Sequence, residues 1–461
     1  MLDPVLLSRL QFAFVIAFHF LLPAFTIGLA AYIAVLEGLY LATRRELYLR
    51  ISSFWLRIFA VSFGMGVVSG IVMPFQIGTN WSGYADATAS VLGPLMSYES
   101  LMAFFLEAAF LGVLLFGRKL VPAWAHFASA VVVAAGTLFS AFWILAANGW
   151  MQTPAGFEIV DGRFVPVDWL AVIFNPSFPY KLAHTVTAVF LTTAFTVIGV
   201  AAWYLRRGRF VAESKVMIAM GVILASVLVP AQALIGDAHG LNTLAHQPAK
   251  LAAMEGMWDT RAGQPAVLFA IPDEATEANR WEVAIPKLAS LYLTHDPDGT
   301  VRGLKDFPKA DRPPVVPVFF AFRIMIGMWA IMLGLTVWAW WLAWRKRLFK
   351  TPAFLRAANW AIPAGYVAVT AGWTTTEVGR QPFVVYGLLR TADAVTPSLT
   401  GGDVLASLAA YVAVYVVVFG AGVYALVRLV RRGLPETLED HVPRLAERPA
   451  RPLSAATGPD A

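Results

Sequence analysis

Nine runs of about 20 apolar residues, near 10–39, 54–78, 95–117, 124–148, 181–205, 215–236, 317–344, 357–377 and 404–430, constrain this chain more than any other feature. In hydrocarbon each backbone N–H and C=O must be satisfied inside its own segment, so every run is expected to be an α-helix. Composition agrees, with 58% of the 461 residues hydrophobic and 14% charged, and a mean hydropathy of +0.65. A soluble domain is excluded, and the expected fold is an all-α integral membrane protein of about nine transmembrane helices. The first run is too long for a signal peptide and lacks a basic leader and a small-residue cleavage site, so it is expected to stay as an anchor.

Charge in the connections sets the expected orientation. Arg44, Arg45 and Arg50, then Arg118 and Lys119, then Arg206, Arg207, Arg209 and Lys215, then Arg345, Lys346, Arg347 and Lys350 fall in alternate connections. The intervening stretch 79–94 has no Lys or Arg, and 148–180 has only Arg163. By the positive-inside rule the basic set is cytoplasmic, which puts the N-terminus outside and the C-terminus in the cytoplasm. The organisation expected is six helices over 1–235, an outer loop over 236–316, three helices over 317–430, and a Pro- and Arg-rich cytoplasmic tail over 431–461 that reads as disordered. A loop of about 80 residues is too long for a plain connector and points to function or mobility.

The net charge of +6 is no nucleic-acid signal, because the basic residues sit in short clusters between apolar spans. With no Cys, any redox cofactor has to be held by His, Met or carboxylate. His19 lies in the first run, His184 opens the fifth and Met325 lies about two turns into the seventh. A lone membrane His is commonly a hydrogen-bonded packing residue and Met is usually plain core. The expected topology nevertheless places His184 and Met325 at similar depth, and His/Met ligation suits a low-spin electron-transfer haem.

Charged residues within the runs form a second group. Glu377 and Arg380 close the eighth run in GWTTTEVGRQP, and an ionisable residue in hydrocarbon is functional by default and needs a partner. Glu99 and Glu107 lie about two turns apart on broadly one side of the third run, with no basic residue on that helix to neutralise them. Chains of buried acids are typical of proton relays, and a protonated Glu bonded to a neighbouring helix is the plainer alternative.

Together these segments resemble subunit I of the cytochrome bd quinol oxidase family, including its cyanide-insensitive branch. The likeness covers nearly the whole chain and rests on SRLQFAFVIAFHF at 8–20, VVSGIVMPFQIGTNW at 67–81, YESLMAFFLEAAFLG at 98–112 and SAFWILAANGWMQTP at 140–154. KLAHTV at 181–186, QPAKLAAMEG at 247–256, FRIM at 322–325 and GWTTTEVGRQP at 372–382 complete it.

The resemblance implies three haems near the outer face. His184 and Met325 match the axial ligands of low-spin haem b558, with Arg323 close to its propionates. His19 and Glu377 match axial ligands of two high-spin haems, b595 and haem d or a b-type haem in its place, and which residue holds which is left open. Glu99 matches a residue beside the oxygen-reducing haem, Trp373 an aromatic between haems, and Arg9 and Arg380 propionate partners. Glu107 and Ser140 match the proton path from the cytoplasm, and Lys250 and Glu255 match the quinol pair of the outer loop, here in a short form. Phe383 departs from the Trp that many relatives carry after GRQP. The implied activity is oxidation of ubiquinol or menaquinol outside and reduction of O2 to water with cytoplasmic protons, without a pump. Implied partners are a large subunit II, a small single-helix accessory subunit and membrane lipid. The alternative is a proton-coupled secondary transporter using Glu99, Glu107 and Glu377, although no inverted repeat is evident.

Overall fold

The computed structural model describes residues 3–435, apart from the side chains of 102–104. Helix α1 (Pro4–Leu21) and α2 (Pro23–Thr43) together make the first apolar run, followed by α3 (Glu46–Asn80). The third run is α4 (Ser82–Met102), a π-helical turn (Ala103–Ala108) and α5 (Ala109–Phe116). Next come α6 (Ala123–Gln152), a hairpin of β1 (Phe157–Val160) and β2 (Arg163–Pro166), α7 (Trp169–Ile173), α8 (Phe178–Arg206) and α9 (Val211–His246). The long loop holds α10 (Pro248–Glu255), β3 (Arg261–Ala262), β4 (Ala266–Asp273), β5 (Ala278–Ile285), α11 (Leu288–Thr294) and β6 (Thr300–Val301). The chain ends with α12 (Val315–Trp344), α13 (Pro352–Trp360), α14 (Ala364–Val378), β7 (Phe383–Val385), β8 (Leu389–Arg390), α15 (Thr391–Ala394) and α16 (Gly401–Arg432).

Among the described residues, eight helical spans are long and apolar enough to cross a membrane. The remaining expected run, near 357–377, is the pair α13 and α14, separated by a turn at 361–363 that ends in Pro363. Proline cannot donate to the preceding turn, and this same chemistry breaks the first run between α1 and α2 at Pro23. Helix α9 continues past the expected loop start at 236 to His246, and Pro248 at the first turn of α10 restarts the helix. Only residues 436 onward of the expected tail lie outside the described residues; Arg431 and Arg432 still belong to α16.

The basic connections gather at one end of the bundle. Arg50 pairs with Glu213 at 2.7 Å and donates to the carbonyl of Pro435 at 3.2 Å, while Arg209 donates to the carbonyls of Arg431 and Arg432. Arg118 grips the buried Glu37 carboxylate through two N–H groups, at 2.8 and 2.5 Å, and Ser52 donates to the same carboxylate. His126, near the start of α6, brings Nδ1 to 3.3 Å from Glu37. Asn148 lies 22 residues further along α6, about 33 Å away at helical rise, so it belongs to the opposite end.

The long loop packs at that opposite end as a small folded unit. Its hairpin pairs β4 with β5 antiparallel, and Leu251, Met254, Trp258, Leu293, Val301 and Leu304 form its core against Val315 and Val318 of α12. Gly256 terminates α10 at φ +71°, with Met257 N–H donating to the carbonyl of Ala252 at 2.8 Å. A Cβ there would lie 2.8 Å from the Phe319 ring, so glycine allows both the left-handed turn and the approach of α12.

Small residues let the helices close up. A Cβ at Gly365 would sit 2.6 Å from the Cα of Thr192, a backbone contact that side-chain movement cannot relieve. Gly365→Ala is therefore expected to separate α14 from α8 and cost about 1–3 kcal/mol. The check is the thermal unfolding temperature in detergent: a drop is expected, and an unchanged value would mean that α14 and α8 do not approach this closely.

Candidate functional site

The last turn of α14 carries Glu377, and the turn after it carries Arg380. Arg380 donates to Glu377 Oε2 at 2.5 Å, while Asn148 Nδ2 and Gln152 Nε2 of α6 donate to Oε1 at 3.0 and 3.3 Å. Three donors on one carboxylate compensate the cost of holding charge away from water. The network extends into the loop. Lys250 donates to Gln152 Oε1 and to Gln247 Oε1, each at 2.5 Å, and Gln247 Nε2 donates back to Gln152 at 3.0 Å. Gln152 thus connects Lys250 to Glu377.

Lys250 and Glu255 share α10 but reach different neighbours. Lys250 lies against Gly379, where a Cβ would come 2.9 Å from its Cγ. Burial holds the Lys250 ammonium well below the usual lysine range, with the positive charge of Lys181 adding to the effect and Glu377 opposing it. Glu255 lies 4.0 Å from the Arg323 guanidinium, and burial pushes its carboxyl above the usual range while Arg323 and the Tyr292 hydroxyl oppose the shift. Arg323 donates to the carbonyls of Met254 at 2.7 Å and Phe319 at 3.1 Å and also to that of Val267, so it pins the loop to α12. The face of α12 that bears it is therefore committed to the loop, while Nε is buried without a partner among the described residues.

Helix α14 packs against both α8 and α12. On one side a Cβ at Gly372 would lie 3.0 Å from Met325 Sδ. On the other, the buried Lys181 ammonium stands 5.4 Å from the centre of the Trp373 ring, one turn before His184 on α8. The Phe20 ring approaches Trp373 at 6.2 Å, which brings α1 to the same place. His19 Nδ1 is 3.0 Å from Ser69 Oγ, and that hydroxyl donates to the Gly66 carbonyl at 3.0 Å. With the serine proton used in this way, the arrangement suits an Nδ1–H tautomer, in which Nε2 would keep the lone pair that a metal requires. Arg9 lies further back on α1 without an ion-pair partner among the described residues.

Glu99 and Glu107 both face α6. Ser140 Oγ donates to Glu99 Oε1 at 3.2 Å, and Ser100 Oγ donates to Oε2 at 3.4 Å. Glu107 is buried within the π-helical turn, and a Cβ at Gly136, one turn before Ser140, would come 3.2 Å from its Cγ. A π-turn re-aims the side chains that follow it, a device frequent at functional sites. No periodicity in the sequence predicts it.

Gln152, Asn148, Lys181 and Tyr292 belong to this arrangement although sequence reasoning did not single them out. Lys181 carries the one available signal, a lysine at the start of an apolar run. The amides carry none, because a neutral polar residue in such a run reads as ordinary helix packing.

Several buried groups here match a large anionic, iron-bearing cofactor. Arg380 is 6% exposed, yet its Nε and Nη1 have no acceptor among the described residues, as a guanidinium awaiting a second carboxylate would. His184 Nδ1 is likewise buried and unpartnered. The donor set of imidazole, thioether and carboxylate suits haem iron.

Residues 7–434 match the family model described as cytochrome bd terminal oxidase subunit I. The chain is 35% identical to cytochrome bd ubiquinol oxidase subunit 1 of Bacillus subtilis, over 96% of this chain and 97% of that protein. It is 32% identical to cytochrome bd-II ubiquinol oxidase subunit 1 of Escherichia coli, over 96% of this chain and 99% of that one. Its fold superposes on the bd oxidase structure from Geobacillus thermodenitrificans with a TM-score of 0.85 and 29% identity, covering 94% of this chain and 99% of the other. Sequence motifs, helical architecture and these likenesses agree, and the chain belongs to the cytochrome bd terminal oxidase subunit I family.

Proposed function

We propose that this multi-pass subunit takes electrons from ubiquinol or menaquinol at the outer loop and delivers them to O2, as part of a terminal oxidase in the bacterial cytoplasmic membrane. The hydrogen-bonded chain Lys250–Gln152–Glu377 is the observation that carries this reading, because it joins the loop implicated in quinol oxidation to a candidate iron ligand. Family membership favours an oxidase over the proton-coupled transporter.

His184 and Met325 would hold low-spin haem b558, and His19 and Glu377 would hold the two high-spin haems, b595 and haem d or a b-type haem in its place. Arg380, Arg323 and Arg9 would meet propionates. When bound, the haems supply one-electron transfer and the iron at which oxygen is reduced. Trp373 would pack between them, with the Lys181 cation on its ring face.

The chain's own residues would govern binding and protons. A quinol head reaching α10 would meet the Lys250 amine and the Glu255 carboxyl, and the raised affinity of Glu255 for protons suits it to accept one as the quinol is oxidised. Oxidation of two quinols releases four protons outside, and reduction of one O2 to two waters takes up four. With uptake from the cytoplasm through Glu107, Ser140 and Glu99, opposite sidedness alone separates charge without a pump. Subunit II and a single-helix accessory subunit would complete the complex in lipid.

Two experiments test this. Lys250→Ala and Glu255→Ala are expected to lower quinol-dependent oxygen consumption by roughly tenfold or more while haem content is retained. Full quinol oxidase activity in both variants would move the quinol site elsewhere. Glu107→Gln keeps size and hydrogen bonding but cannot release a proton. Its haems are expected to remain bound and reducible by quinol while oxygen consumption falls by about 10²-fold. Wild-type turnover in Glu107→Gln would mean that protons take another route.

A further inference from the structure

Two buried polar atoms without a partner lie where α8 packs on α9. His184 Nδ1 and Gln232 Oε1 are both buried, and neither has a hydrogen-bond partner among the described residues. The other end of the Gln232 amide is fixed, because Nε2 donates to the backbone carbonyl of His184 at 3.3 Å. Oε1 is then the free acceptor, held beside the histidine. Gln232, Gly236 and His239 stand at i, i+4 and i+7 and share one face of α9. That face is turned to His184. A Cβ at Gly236 would come 3.6 Å from His184 Cε1 and 3.9 Å from Nδ1, and the His239 ring meets the His184 ring at 5.3 Å with planes 66° apart. His184 thus turns its Nδ1 edge to α9 and leaves Nε2 as the nitrogen farther from Gly236.

The geometry points to Gln232 as the residue that accepts the His184 Nδ1–H hydrogen bond, directly or through one water, and so presents Nε2 to the low-spin haem iron. His239 sets the plane of the ring by its edge-to-face contact. This inference rests on the proposal that His184 is an axial ligand and makes Gln232 a positioning residue. A histidine that ligates a metal almost always donates its second N–H to an acceptor, which fixes its orientation and raises its basicity. A more basic imidazole favours ferric over ferrous iron. A neutral amide at 232 therefore holds the potential higher than a carboxylate would and lower than an apolar side chain would.

Potentiometric titration of the low-spin haem in the intact oxidase tests this. Gln232→Leu removes the acceptor and is expected to raise the midpoint potential, while the near-isosteric Gln232→Glu is expected to lower it. A shift corresponding to a tenfold change in the ratio of oxidised to reduced haem is about 59 mV for one electron. Loss of packing alone does not move the potential in opposite directions in the two variants. If Gln232→Leu fails to assemble haem, Gln232→Glu decides by its downward shift. Unchanged potentials with the low-spin signal intact would overturn the role of Gln232. A low-spin signal that survives in His184→Ala would instead overturn the ligand assignment on which it rests.

Discussion

The carboxylate of Glu377 and the guanidinium that grips it hold together the end of the bundle opposite the basic connections. An ion pair at the end of a membrane helix persists only when its remaining hydrogen-bonding capacity is met. Asn148 and Gln152 meet it from α6 on the carboxylate side. On the guanidinium side Nε and Nη1 of Arg380 have no acceptor among the described residues, which leaves capacity for an anionic group. Because Gln152 also accepts from Lys250, the position of the loop helix is tied to the same carboxylate. Charge, packing and loop placement are therefore one constraint.

Around that constraint the polar groups divide by depth. Phe20 of α1 and Lys181 of α8 reach Trp373, and Met325 of α12 reaches the neighbouring Gly372, whereas the acids of the third span face α6 one turn apart, at Ser140 and Gly136. The two sets differ in their surroundings. Gly372 lets α12 approach α14 at Met325, and Gly365 lets α8 approach it at Thr192. Glu107 is buried and has no ion-pair partner among the described residues.

Much of this was legible in the residues. The apolar runs became helices because hydrocarbon leaves the backbone no other choice, and GWTTTEVGRQP stood out because charge there requires a partner. The breaks at Pro23 and Pro363 were missed by reading hydropathy in windows, which average over a single proline. The extent of α9 was underestimated because its C-terminal end, carrying Asp237, His239 and Asn242, is too polar to score as a span although it is helical. Gln152 was invisible for another reason: its significance lies in joining α10 to α14, and contacts between distant segments have no local signature. The π-turn at Glu107 likewise depends on how the third span meets α6.

Haem held by side chains of this subunit, with His184 and Met325 as a low-spin pair, is what the proposed electron path depends on. The most direct measurement is the reduced-minus-oxidised visible spectrum of the purified oxidase, with pigment extraction, for the native protein and for Met325→Leu. The account predicts stoichiometric haem in the native protein and a low-spin component that turns high-spin or disappears in the variant, because leucine preserves volume but cannot ligate iron. A preparation without stoichiometric haem, or an unchanged low-spin signal in Met325→Leu, would contradict it.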